Sequence, residues 1–178
     1  YLRQVLLRPV PRTFALASTQ VTILILTALA SYFAAGSISV FTFAYNLHAV
    51  PIAIIGVSYS VAALPTLARL FATGEAQKLA EHVENALRHL LFWSIPLTVL
   101  AIVLRAQLVR VILGTGAFDW SATRLTAAAL ALFIISLVAQ NVTLLIARTY
   151  YAAGNSRKPL YYGIVDIAWA YAFGALAA

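Results

Sequence analysis

The most constraining feature of the sequence is a long stretch without charge. No Lys, Arg, Asp or Glu occurs between Arg12 and Arg69. Over the whole chain 63% of residues are hydrophobic and 10% are charged, and the mean hydropathy is +0.92, whereas soluble domains carry about 25% charged residues. A soluble fold could not cover this much apolar surface, so the composition indicates a protein that folds in a lipid bilayer.

The apolar runs predict an all-α fold, a polytopic transmembrane helix bundle. Because a span needs about 20 apolar residues, the uncharged stretch holds two spans that meet after Gly36, and the second leaves at Pro65, where a helix can stop. Asp119 or Ser121 is the predicted N-cap of a later span. The predicted spans cover residues 13–35, 39–64, 87–104, 123–146 and 160–178.

The segment 74–88 differs from the spans because it is amphipathic. Leu79, Val83 and Leu87 recur at helical spacing, and Glu84 with Arg88 forms a favourable i,i+4 pair. This pattern predicts a helix on the cytoplasmic membrane surface. A helix packed on its neighbours is the alternative that the pattern leaves open.

The positive charges predict the orientation of the chain in the membrane. One side holds the N-terminal leader, the 65–90 segment and the 147–159 turn, with nine Lys and Arg residues: Arg3, Arg8, Arg12, Arg69, Lys78, Arg88, Arg148, Arg157 and Lys158. The other side holds three: Arg105, Arg110 and Arg124. The side richer in positive charge is expected in the cytoplasm. These charges flank apolar runs, so topology explains the net charge of +7 better than nucleic-acid binding does.

The sequence lacks the residue patterns of enzymes and metal sites. The chain has no cysteine, and His48, His82 and His89 share no ligand spacing. It contains no paired acids, Ser/His/Asp set or phosphate-binding loop. We therefore expect no catalytic residue, no metal and no cofactor, which leaves a transporter, a lipid-handling scaffold or a structural membrane subunit. The chain starts at Tyr1 and has no methionine, which favours an internal piece of a longer protein.

Polar residues inside the predicted spans are the candidate functional groups, since each needs a partner or a hydrated cavity in the bilayer. Both an interhelical hydrogen bond and a place in a cavity wall fit such residues. Pro51 removes a backbone hydrogen bond one turn after Leu47, and transporters often interrupt helices near their substrates. The candidates are Gln20, Asn46, His48, Gln140, Asn141 and Asp166.

Three stretches resemble a known family. GTGAFDWSATRLTAAALA (114–131) is similar to the G-x-GAFD turn and following helix of MurJ/MviN-type lipid II flippases. ARTYYAAGNSRKP (147–159) resembles their R-x-F/Y-Y-A-x-G-D/N-T/S-R-x-P turn. GSISVFTFAYNLHAVPIAIIGVSYSVAALPTLAR (36–69) is similar to their GS-x-S…A-D-R-L…P-x-G-x-x-G-x-A…LP-x-L-S/A-R helix.

The resemblance implies the start of the second lobe of a fourteen-helix, two-lobed transporter in the bacterial cytoplasmic (inner) membrane. Such a transporter would flip the undecaprenyl-pyrophosphate-linked peptidoglycan precursor by alternating access. Its partners would be that lipid-linked precursor, membrane lipids and the first lobe, which this chain does not contain.

The resemblance also implies where substrate would bind. Asn46 stands where the family motif has a cavity arginine, Tyr45 replaces an acid, Ala49 replaces a glutamate, and the cavity serine is kept as Ser39. His48 lies close by and would be either a cation or a neutral hydrogen-bonded group.

Together with Gln20 from the first span, Ser39, Asn46 and His48 are the predicted substrate-binding residues. Two alternatives remain open. One is a flippase or exporter for another polyprenyl-linked or amphipathic substrate, and the other is a non-transporting scaffold for cell-wall synthesis.

Overall fold

The computed structural model describes residues 10–114, 119–155, 158–159 and 161–168, with no side-chain placement for 10–12 and 14–16. Within these ranges the chain is helical and contains no strand, which confirms the predicted all-α fold. The helices are α1 (Val10–Ala30), α2 (Ser37–Pro51), a π-helical segment (Ile52–Val57), α3 (Ser58–Ala72), α4 (Ala76–Val103), α5 (Arg105–Leu113), α6 (Trp120–Ile135) and α7 (Leu137–Ala152). Residues 161–168 are also helical.

The chain divides into two compact units. One unit comprises residues 1–38 and 154–178, and the other comprises Ser39–Ala153. Two continuous helices in the described residues are long and apolar enough to cross a membrane, Ser37–Ala72 with 36 residues and Ala76–Val103 with 28 residues. The pair α6 and α7, bent by 43°, meets the same criterion if it forms one span.

The expectation that a helix stops at Pro65 is wrong, because the helix continues through Pro65 to Ala72. Proline inside a helix removes one hydrogen bond and costs about 3 kcal/mol. Buried side chains on both sides of it, Ala63 and Leu67, pack into one apolar cluster with Leu90 and other residues of neighbouring helices. This packing holds the turns before and after the proline in one continuous helix.

Residues 76–88 of the predicted surface segment and the start of the third predicted span lie on a single helix, α4. Ala86 and Leu90 are buried against α3 and α7, and the Arg88 Nη2 donates to Glu84 Oε1 at 2.5 Å on the exposed side. These contacts confirm the ion pair and show that one face of the segment packs on α3 and α7; its position at the membrane surface stays a prediction.

A second apolar cluster joins α2, α4, α5, α6 and α7. Its buried members are Ala44, Ala101, Val109, Ala127, Leu130, Ile134 and Leu137. The N-terminus of α6 is capped by Asp119, whose Oδ1 accepts the backbone N–H of Ala122 at 2.8 Å, which confirms one of the two predicted caps. The predicted bounds of the spans stay predictions, and residues 160 and 169–178 of the last one lie outside the described residues.

Candidate functional site

Helix α2 presents polar side chains on an exposed face. Ser39 and Asn46 are both exposed, and residues seven apart lie nearly two full turns apart on the same side of a helix. In the part of the chain that the structure describes, neither makes a side-chain hydrogen bond. Their donors and acceptors are therefore available to a ligand or to water.

His48 lies on the opposite side of α2, since two residues correspond to a rotation of about 200°. Its side chain is 1% exposed. The imidazole stacks on Phe133 of α6 with a centroid distance of 5.5 Å, and Tyr45 packs edge-on against the same ring at 5.9 Å. The structure thus separates His48 from Asn46 and places it inside the bundle rather than beside the exposed polar face.

Gln140 of α7 supplies the polar partner of His48. The Gln140 Nε2 lies 3.3 Å from the His48 Nε2 and donates to Ser136 Oγ at 2.7 Å. Ser136 Oγ in turn donates to the carbonyl oxygen of Phe133 at 2.7 Å. Gln140 is a neutral amide, and the Nδ1 of His48 is buried without a hydrogen-bond partner; a charged imidazole would carry a proton on both ring nitrogens and would need an acceptor at each. Of the two readings of His48, this arrangement supports the neutral, hydrogen-bonded one.

Pro51 is followed directly by the π-helical segment Ile52–Val57. The backbone N–H of Ser58 donates to the carbonyl oxygen of Ala53, five residues earlier, and its Oγ donates to the same oxygen at 3.0 Å. The wider turn follows from the donor that proline lacks. The helix interruption predicted from Pro51 is therefore a local change of winding within one long apolar helix.

Asn141, the residue after Gln140, contacts this π-helical segment. Its side chain is fully buried, and Nδ2 donates to Ser94 Oγ of α4 at 2.9 Å. A Cβ built at Gly56 would lie 2.1 Å from Asn141 Oδ1, so the amide occupies the space that a side chain at residue 56 would need. Gly56 and Ser94 are not among the residues predicted from the sequence, although small residues within an apolar span are a signal of close helix approach.

The remaining candidates belong to the other compact unit. Gln20 lies on α1 with an exposed side chain, and Asp166 lies in the helical residues 161–168, also exposed. Among the residues that the structure describes, no group of three His, Cys, Asp or Glu side chains could hold a metal ion.

Within the described residues, α2 itself carries no Lys, Arg, Asp or Glu, and the charged groups lie on other segments. Between α3 and α4, Glu75 pairs with Lys78, and this pairing together with a hydrogen bond from Thr73 lowers the pKa of Glu75. Before α6, Arg110 lies over the Trp120 ring at 5.7 Å. The exposed face of α2 is therefore uncharged: Ser39 and Asn46 lie there beside the exposed Phe43 and Val50, and their polar groups suit neutral hydrogen-bonding partners such as hydroxyls and amides.

Comparison with known proteins identifies the family. The family model "Lipid II flippase MurJ" matches residues 1–177. The chain belongs to this family. The probable lipid II flippase MurJ of Rhizobium tropici is 26% identical over 166 residues, which are 93% of this chain and 31% of that protein. That of Rickettsia prowazekii is 27% identical over 158 residues, and the lipid II flippase MurJ of Burkholderia cenocepacia is 26% identical over 158 residues.

The MurJ match confirms the resemblance drawn from the three motifs. The chain spans about a third of the length of these relatives, 31% in each case. No solved structure matches it significantly. Together with the long apolar helices, membership of the family makes this a membrane protein related to named flippases, which are transporters.

Proposed function

We propose that this chain forms part of a flippase that moves lipid II, the undecaprenyl-pyrophosphate-linked peptidoglycan precursor, across the bacterial cytoplasmic membrane. The observation that carries the proposal is the family match over residues 1–177, which includes the helix with the exposed Ser39–Asn46 face. In this proposal the face lines the transport cavity opposite a first lobe that the chain does not contain. The leader, the 65–90 segment and the 147–159 turn lie in the cytoplasm.

The physical role of the face follows from its chemistry. Ser39 and Asn46 offer a hydroxyl and an amide, which hydrogen-bond to sugar hydroxyls and peptide groups. Neither can neutralise a pyrophosphate, which calls for Arg or Lys. We infer that cations outside this chain hold the pyrophosphate and that Ser39 and Asn46 contact the uncharged parts of the headgroup, while Gln20, in the other compact unit, stays a predicted substrate contact. Alternating access of two lobes then carries the headgroup through while the polyprenyl tail stays in lipid.

His48 has a different role in this proposal. Its burial against Phe133 and its contact with Gln140 support a structural contribution rather than direct contact with substrate. This interpretation replaces the expectation that His48 could supply a substitute positive charge beside Asn46.

A second substrate is a specific alternative because of Asn46. The motif that this helix resembles has arginine at that position, and the exposed side chain here is neutral. A flippase for another polyprenyl-linked or amphipathic molecule, with fewer charges near this face, also fits that difference.

Genetic complementation tests the proposal. The gene that encodes this chain, at its full length, is expressed in a bacterium depleted of its own lipid II flippase, beside the Asn46→Ala and Asn46→Arg variants. Gln107→Arg, at an exposed position of α5, is the matched control for an added positive charge. Immunoblots of the membrane fraction verify that each protein is present.

We expect the unmodified gene and Gln107→Arg to restore growth and Asn46→Ala to restore it less well, because the alanine removes the amide contacts. If Asn46→Arg alone restores growth, this face lacks a cation that lipid II requires, and the second substrate becomes the better proposal. If no version restores growth although each is in the membrane, the non-transporting scaffold is favoured over both.

A further inference from the structure

The unit formed by Ser39–Ala153 contains two interruptions in its long helices. The helix that starts at Ser37 changes from α to π winding at Ile52, directly after Pro51. Helices α6 and α7 meet at Ser136 with a bend of 43°. Such interruptions have fewer regular hydrogen bonds, and they are the places where a helix bends with least cost.

Two consecutive side chains of α7 contact the first interruption on both of its sides. Gln140 reaches His48, one turn before Pro51, and Asn141 packs against Gly56, inside the π-helical segment. These contacts therefore hold the helix before and after the proline against the same partner helix. Asn141 is held in turn by its hydrogen bond to Ser94 of α4.

Gln140 also connects this arrangement to the second interruption. Its amide nitrogen donates to Ser136 Oγ, and Ser136 donates to the carbonyl oxygen of Phe133, in the last turn of α6. Phe133 in turn stacks on His48. The two bends therefore share one set of contacts, so a change in the angle at Ser136 moves the groups that hold the turn of α2 before Pro51.

We propose that Gln140 and Asn141 are positioning residues: they form a two-point clamp that fixes the bend of the α2–α3 helix and couples it to the bend between α6 and α7. The clamped turn carries Asn46 on its other side, so the clamp sets the direction in which the Ser39–Asn46 face points. The importance of that direction for transport rests on the function proposed above. The clamp itself is a property of the fold and is measured without substrate.

Distances between pairs of spin labels on the full-length protein measure both bends, the one between α2 and α3 and the one between α6 and α7. Cysteines are introduced at Val50 and Phe71, which are exposed on α2 and α3, and in a second protein at Leu125 and Ile146, exposed on α6 and α7. This chain has no native cysteine, and any elsewhere in the protein are replaced. Each pair lies about 30 Å apart along its helix, within the range of pulsed electron paramagnetic resonance, and is measured in vesicles of phosphatidylethanolamine and phosphatidylglycerol.

Variants on each side of the contact test the coupling. Gln140→Leu removes the hydrogen-bonding amide from α7, and the milder Gln140→Asn shortens it beyond reach of His48. His48→Phe changes only α2 while it keeps a ring against Phe133. Gln77→Leu, which removes an exposed amide that donates to Glu81, is the matched control.

We expect Gln140→Leu, Gln140→Asn and His48→Phe to broaden both distance distributions and to raise the share of molecules with a changed bend about threefold. This factor corresponds to about 0.6 kcal/mol, the contribution of an interhelical hydrogen bond in a membrane. Gln77→Leu leaves both distributions unchanged. The decisive result is the distance distribution between the labels at positions 125 and 146 in the His48→Phe protein, because the substitution and the labels are then on different helices.

The clamp is refuted if the folded variants give the same distributions as the unmodified protein. Complementation by the same variants is a separate measurement. Failure of the unmodified gene to complement would count against lipid II flipping, and the distance measurements would still decide whether the clamp exists.

Discussion

The close approach of Asn141 to Gly56 yields the sharpest prediction about the fold. Gly56→Ala adds a Cβ that would lie 2.1 Å from Asn141 Oδ1 and 3.5 Å from Leu144 Cδ2. Ordinary van der Waals contact begins at 3.4 Å, so the amide oxygen or the helix must move by about 1.3 Å. Asn141 has little freedom to move because it is fully buried and bonded to Ser94 at 2.9 Å.

Two opposing effects set the size of the change. Overpacking of this kind costs about 1–3 kcal/mol, and the greater helix propensity of alanine returns at most about 1 kcal/mol, less in a π-helical turn. We therefore expect Gly56→Ala to lower the free energy of unfolding by about 1–2 kcal/mol. In an Asn141→Ala background the opposing oxygen is gone, and the same substitution should be neutral or stabilising by up to about 1 kcal/mol.

The assay is a double-mutant cycle on the full-length protein in detergent, with thermal unfolding followed by intrinsic fluorescence. The expected coupling between the two substitutions is about 1–3 kcal/mol, the overpacking cost that Asn141→Ala relieves. The reasoning is refuted if Gly56→Ala destabilises the protein equally in both backgrounds, since the destabilisation would then not come from contact with Asn141.

Two further predictions concern the core and the helix cap. Phe133→Ala should destabilise the protein by about 2–4 kcal/mol, because it removes the ring that His48 and Tyr45 pack against. Phe92→Ala, at a side chain that is 69% exposed, should cost far less in the same unfolding assay. Similar losses of stability at both positions would contradict this packing. Asp119 accepts hydrogen bonds from the backbone of Ala122 and from a serine hydroxyl, and these lower its pKa below the value in the unfolded chain. Its contribution to stability is therefore present above the unfolded pKa and is lost as the pH falls through the folded pKa. Asp119→Ala should lower the unfolding temperature at neutral pH and make that temperature less sensitive to acid, and an unchanged pH profile would refute the cap.

Sequence reasoning succeeded where the cause was local. An uncharged run of this length admits apolar helices whatever they pack against, so the all-α fold followed from composition and spacing alone. The Glu84–Arg88 pair and the Asp119 cap each depend on residues within one helical turn, and the structure has both. The expected stop at Pro65 failed because tertiary packing on either side of a proline outweighs a local preference, and that packing is not visible in a single sequence.

The candidate site shows the same division between local and long-range causes. The exposed face of Ser39 and Asn46 follows from their seven-residue spacing on one helix. The partner of His48 could not be predicted in this way, because Gln140 is 92 residues away and its contact depends on how α2, α6 and α7 pack. Gln140 and Asn141 were recognised as polar residues in a span, but their spacing does not say that one contacts α2 and the other contacts α4 and the π-helical segment.

Because Asn46 and His48 lie on opposite sides of α2, the two positions differ in how freely their side chains can be replaced. The side chain of Asn46 is exposed and makes no hydrogen bond within the described residues, so the contacts of this unit set little constraint on the residue at position 46. At position 48 a cation would be enclosed between Phe133 and Gln140, where burial without a counter-charge is costly. In the function and the clamp proposed above, a neutral residue at 46 alters substrate recognition while the contacts of His48 keep the bend of the helix.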